Sequence, residues 1–219
     1  MIPLGVLGSA SQQPSGSSLL VVHIATGTST PSGGGHPFTT PIGEPRADRH
    51  VIIAFAYRLN LTTTTAPTVT INGAAATMDV LAFSPANRMV AAIAHAHVPT
   101  GETAQVSLTW GVATGAKVAW SVFHAASPTP VATGVSAGSG SPATLTAPAG
   151  ASTVAVSITE AAIVGSTATW TGANEVADKH LTGGTSVSTA VTTVSGTIHP
   201  AAEWVSPTTD VVTVAAAYL

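Results

Sequence analysis

Apolar residues along this chain recur with a period of two, and helical periodicity is hard to find. Short runs rich in Val, Ile, Thr and Ala return between clusters of Gly, Pro, Asn and Ser, the signature of successive β-strands separated by turns. The pattern predicts about ten strands, at 18–25, 50–58, 68–71, 75–83, 88–97, 104–110, 117–124, 153–159, 186–194 and 210–217. Asn72-Gly73 lies between two such runs and has the residue types of a type I′ hairpin turn, in which both central positions take positive φ. Pro99-Thr100-Gly101-Glu102 joins the next pair in the same way.

Alternation also assigns faces. Val106, Leu108 and Trp110 fall on one side of their strand and Ser107 and Thr109 on the other, so the first set faces a core. The run 51–57, VIIAFAY, is apolar on both sides, as expected of a central strand covered on both faces or of a strand at a subunit contact. A Pro/Gly/Ser-rich stretch at 127–150 reads as a long surface connection rather than an interdomain linker, because only three strands are convincing beyond it and three bury too little alone. The resulting expectation is an all-β fold: one antiparallel β-sandwich of jelly-roll type over 26–219. Residues 1–25, an apolar segment and first strand, would serve as a contact arm.

Composition sharpens this picture. Of 219 residues only 15 are Asp, Glu, Lys or Arg, or 7%, where a soluble domain usually carries about 25%. Ala (39) and Thr (34) make up a third of the chain. Six basic residues and a pI near 6.2 argue against nucleic acid, which requires a Lys/Arg surface to neutralise phosphates. With 45% hydrophobic residues and little charge of either sign, the chain should fold and should hide much of its surface against partners. The absence of cysteine removes disulfides and thiolate sites. The start, MIPLGVL, has no basic region and is broken by Pro3 and Gly5, so no signal peptide is expected, and no apolar run is long enough to span a membrane.

Little in the chain points to catalysis. Gly-x-Ser-x-Gly is absent in any strand–turn–helix context, and no Walker loop or convincing carboxylate pair is visible, so no catalytic residue, cofactor or enzyme activity is expected. Eight histidines raise the question of metal. His95 and His97 share one face of a strand and are the candidate ligands, but nothing in the sequence brings a third to them, and the expectation is no metal site. Trp110 and Trp120 are expected in the core. Trp170 and Trp204 sit in loop-like segments and, with the polar cluster Glu175, Asp178 and His180, form the candidate glycan contact.

Particular stretches carry a resemblance: GTSTPSGGGHPFT at 27–39, Pro41-Ile42-Gly43, ADRHVIIA at 47–54, VTINGAAAT at 69–77, VPTGETA at 98–104 and Trp120-Ser121-Val122. Together they resemble β-rich structural proteins, of the decoration and fibre kind, from tailed bacteriophages and prophages. The likeness covers roughly residues 26–126, with a weaker match at 210–219. It rests on turns and strands, so no functional residue carries over, and Ala74-Ala75-Ala76 and the extra histidines depart from it. The resemblance implies a virion protein made in the host cytoplasm. Its role would be a capsid decoration or cement protein, a homotrimer bound to the assembled major capsid protein and stabilising it, with no nucleic acid or membrane partner. The contacts expected for that role are Ile2, Leu4, Val6 and Leu7 in the N-terminal arm and Ile53, Phe55 and Tyr57 in the two-sided strand. The alternative it implies is the head of a tail or head fibre that binds a receptor or host surface glycan through Trp170, Glu175, Asp178, His180 and Trp204.

Overall fold

A computed structural model describes residues 21–30, 33–111, 117–125, 129–138, 142–160, 166–181, 184–205 and 210–219. All pairings within it are antiparallel, and the described residues hold no helix. The first half contributes β1 (Val21–Ser29), β2 (Gly35–Pro41), β3 (His50–Arg58), β4 (Thr68–Ile71), β5 (Ala74–Ala75), β6 (Thr77–Phe83), β7 (Met89–His97), β8 (Thr103–Thr109) and β9 (Lys117–Ala125). The second contributes β10 (Pro130–Ala137), β11 (Leu145–Ala147), β12 (Ser152–Glu160), β13 (Ala168–Thr171), β14 (Asn174–Leu181), β15 (Thr185–Thr192), β16 (Gly196–Ile198), β17 (Ala201–Trp204) and β18 (Val211–Tyr218).

Each of the ten expected strands has a counterpart here, although the start of the first, at 18–20, lies outside the described residues. The Asn72-Gly73 turn has positive φ at both positions, 52° and 80°. The organisation differs from the single sandwich expected. Among the described residues eighteen strands form five sheets, and the stretch read as a surface connection, 127–150, contains β10 and β11. These strands escape a hydrophobic scan because Gly, Ser, Thr and Ala occupy most of their positions.

The chain carries the same topology twice. The inner sheet of the first half has the order β1-β9-β3-β7-β6, and that of the second has β10-β18-β12-β15-β14. These orders coincide when each strand is matched to its counterpart in chain order. Irregularities repeat as well: the first strand of each half bulges against its neighbour, at Ile24 and at Val131, and so does the edge strand, at Asp79 and at Val176. Gly27 and Gly134 follow the first pair of bulges at the same spacing. A Cβ at Gly27 would lie 2.3 Å from the Trp120 ring, and one at Gly134 would lie 2.5 Å from the Thr144 carbonyl oxygen. Trp110 and Trp204 stand at the same distance before the last strand of their halves.

The two inner sheets pack face to face in reversed order, with β6 over β10, β7 over β18, β3 over β12 and β1 over β14. Strand directions are kept, because Arg58 at the end of β3 meets Glu160 at the end of β12. Reversed order with preserved direction is the relation of a pseudo-two-fold axis running along the strands, so the halves meet as the subunits of an isologous dimer do. Ile52, Ala54, Ala56, Ala91, Ile93 and Phe123 from one sheet fill this seam with Val154, Val156, Ile158, Val212, Val214 and Ala216 from the other. Its buried hydroxyls pair across it, Ser121 with Thr189 at 2.8 Å.

A four-stranded outer sheet, β2-β8-β4-β5, covers the far face of the first inner sheet, and the core between them contains Ile53, Phe55, Tyr57, Leu108, Trp110 and Trp120. In the second half the cover is two short ribbons, β11-β16 and β13-β17, over Ala155, Ala215 and Ala217.

Arg49 closes one corner of the first half. It is 1% exposed, and its guanidinium donates to the carbonyls of Gly43, Glu44, Val98, Thr100 and Gly101 at 2.6–2.8 Å. One side chain thereby ties the β2–β3 connection to the β7–β8 turn. Arg49→Met would leave several buried acceptors without a donor, at about 1–3 kcal/mol each. We expect a loss of roughly 3–5 kcal/mol in urea unfolding, with Arg49→Lys recovering less than half of it because an ammonium cannot reproduce the planar fork. A midpoint unchanged in Arg49→Met would remove this corner from the account.

Candidate functional site

The strand at 51–57 is buried on both faces inside one chain, so the first of its two sequence readings holds. Ile53, Phe55 and Tyr57 are 0% exposed and pack under the outer sheet, which corrects the expectation that they contact a partner: they have no surface to offer one. Burial also pushes the Tyr57 phenol well above its usual pKa. Ile2, Leu4, Val6 and Leu7 lie outside the described residues.

The two candidate metal ligands, His95 and His97, are each engaged by a protein group. His95 Nδ1 lies 2.7 and 2.9 Å from the two carboxylate oxygens of Asp79, and His97 Nε2 donates to the Ala47 carbonyl at 2.8 Å. The His50 ring lies beside them, tilted against His97 with centroids 4.9 Å apart and edge-on to His95 at 6.0 Å. Among the described residues no three His, Asp or Glu side chains converge as a metal ion requires.

Asp79, not among the residues expected from the sequence, organises this cluster. It is the extra residue of the β6 bulge: Met78 pairs with Ala94 and Val80 with Ile93, while Asp79 has no partner in the ladder. The bulge turns its carboxylate, 1% exposed, into the seam between the halves. There the Tyr218 phenol, from the last strand of the chain, donates to it at 2.7 Å. Burial first, and then the adjacent carboxylate, hold the Tyr218 phenol well above its ordinary pKa. A carboxylate orienting an imidazole is part of a nucleophilic triad, but no described hydroxyl hydrogen-bonds to His95. What the geometry performs is a clamp joining β18 to β6 and β7. The break in alternation at Thr77-Met78-Asp79-Val80 is the only sequence signal that would have revealed it.

The candidate glycan residues fall on or beside one face of the second inner sheet. Trp170 and Trp204 lie on the β13-β17 ribbon, opposite Ala202 and Ala168 respectively. Both are half-buried and turn their indole N–H groups inward, to Ser188 Oγ at 2.7 Å and Ser157 Oγ at 3.4 Å, so they roof a serine-lined sheet rather than stand out as loop contacts. Asp178 Oδ2 accepts the Ala168 N–H at 3.1 Å, which brings it under the same ribbon. Glu175 is exposed, its carboxyl pushed up by partial burial and by Asp178, and His180 is exposed with Nδ1 3.2 Å from Ser186 Oγ. The segment that carries these polar groups is the edge strand β14, not a loop. Trp110 and Trp120 are buried as expected, with Phe38 stacked on Trp120 at 3.9 Å.

No protein-family model matches the chain, and no curated protein or solved structure matches it.

Several histidines share one electrostatic property. Burial lowers the pKa of His23, His36, His50 and His124 below 6.5; at His50 the neighbouring His97 and His95 lower it further, opposed by Asp48. His36 is the most enclosed, 8% exposed and stacked on Phe38. A histidine with a native pKa below its unfolded value takes up its proton more readily when unfolded. Its full stability is therefore present above about pH 6.5 and is lost as pH falls through the lowered native values. Calorimetric midpoints should drop steadily from about pH 7 to about pH 5, and His36→Phe should flatten part of that slope. A midpoint independent of pH over this range would contradict it.

Proposed function

We propose that this protein is a non-catalytic structural component of a tailed-bacteriophage virion, a capsid decoration protein built from two fused jelly rolls. The jelly-roll reading is supported by strand order. In the first half β1-β9-β3-β7 lies over β2-β8-β4-β5, with the chain passing repeatedly from one sheet to the other, and the second half follows the same path with its outer sheet reduced to ribbons.

The observation that carries the functional reading is where the reactive side chains are used. Arg49, Asp79, His95, Tyr218, Arg58 and Glu160 all join one strand or half to another. Such a molecule is suited to bear load. The outer surface keeps single apolar side chains, among them Val131 and Val135 on the edge strand β10. In this reading copies associate as homotrimers on the major capsid protein lattice, and binding only the assembled state stabilises it by linkage.

Mixing purified protein with phage capsids that lack it, followed by electron microscopy, tests this reading. Decoration predicts saturable binding in fixed ratio to the capsid subunits, hundreds of copies per particle by order of magnitude, and a raised capsid melting temperature. Binding of only a few copies at a tail or vertex would favour the fibre reading, and no binding to any particle would contradict both.

A further inference from the structure

The two halves differ most where the outer sheet of the second is interrupted, and that interruption forms a cleft. In the first half β8 is one continuous strand, paired with β2 on one side and β4 on the other. Its counterpart is cut at His199-Pro200 into β16, paired with β11, and β17, paired with β13. Pro200 has no N–H to continue a ladder; its carbonyl instead accepts from Ala143 at 3.0 Å. Beside the break lies a cleft of about 490 Å³, bounded by the β13–β14 turn and the β15–β16 connection. That volume falls within the range of small-ligand pockets, about 300–1,000 Å³.

Its walls are mostly apolar in area and are set with hydrogen-bonding side chains. Thr171, Thr192 and Thr197 bring hydroxyls, Asn174 a carboxamide and His199 an imidazole, while Val194 and Ile198 supply apolar surface. Among the described residues no Lys, Arg, Asp or Glu lines it. The His199 ring is held in place by Nδ1 at 2.9 Å from Thr144 Oγ1. Gly172, at φ +76°, forms the rim, and a Cβ there would sit 3.3 Å from the His199 carbonyl oxygen, so the cleft keeps its shape through a close backbone approach.

From this we infer that the cleft is a binding site for a neutral carbohydrate. Hydroxyl and amide groups that both donate and accept match sugar hydroxyls, and Val194 and Ile198 match the apolar C–H face of a pyranose. A phosphate or carboxylate ligand would find no cation, and a wholly apolar one would strand the threonine hydroxyls. This inference goes beyond the virion reading and does not depend on it, since the cleft would act in the same way on a capsid or on a fibre.

The test is saturation-transfer and chemical-shift NMR on the full chain with maltose, cellobiose and chitobiose as neutral probes and a glucuronate-containing disaccharide as the charged control. A parallel arm with immobilised neutral polysaccharide distinguishes a free sugar from a surface glycan. At least one neutral probe should bind and shift resonances of Asn174, Thr197 and His199 at sugar concentrations up to about 10 mM, more strongly than the charged control. Asn174→Leu and Thr197→Val, checked for unchanged melting temperature, should each weaken binding about fivefold or more, the effect of losing one hydrogen bond. Failure of every neutral probe, preference for the charged one, or full binding in both folded variants would overturn the inference. None of these outcomes bears on capsid binding, which is read separately.

Discussion

The packing of two inner sheets against each other is the constraint on which the rest of the molecule depends. Each of these sheets is covered on both faces, one by the seam and the other by an outer layer. A strand covered on both faces cannot carry charge without a buried partner, so β3, β7, β12 and β18 consist of Val, Ile, Ala, Ser, Thr and aromatic residues through their central stretches. Alanine, a poor strand former by propensity, suits this position because it lets facing sheets approach. The low charge of the chain follows from stacking layers of β-structure in a small protein, and assembly with partners is not needed to explain it.

The few charges are placed where that stack ends. Arg58 and Glu160 close one end of the seam, where Ser84 also hydrogen-bonds to Asp210. Asp79, Tyr218 and His95 close the other. Both ends therefore join the first half to the second. Departures from the internal repeat mark the places with individual chemistry. The bulge that presents Asp79 in one half presents Val176 in the other, and the outer sheet that is continuous in one half is split in the other. A fused pair allows this division of labour, because each half can change without altering the other's counterpart as it would in a homodimer.

How much of this was legible in the chain depends on side-chain size. Strands of the first half announce themselves through Val51–Tyr57 and through Val106, Leu108 and Trp110, and Asn72-Gly73 marks its turn outright. The second half uses the same path with Ala155, Ser157 and Thr159 where the first has Ile53, Phe55 and Tyr57, and with Thr213 where the first has Trp120, so neither a hydrophobic scan nor residue identity exposes the repeat. β10, β13 and β14 carry Gly, Thr, Asn and charged residues and resemble loops until a neighbouring sheet covers them. The candidate site was legible in part. Trp170, Asp178 and Trp204 do gather at one ribbon, whereas the Asp79 clamp depends on a bulge that shifts alternation by one residue.

Native-state hydrogen exchange tests the central claim most directly, because it reads the opening free energy of each strand separately. If the seam holds both halves as one cooperative unit, the slowest amides should lie in β3, β7, β12 and β18 and exchange through a common global opening, with equal free energies and equal dependence on denaturant. Exchange of β12 and β18 through a separate, lower-energy opening that leaves β3 and β7 protected would show two independent sandwiches and contradict the account.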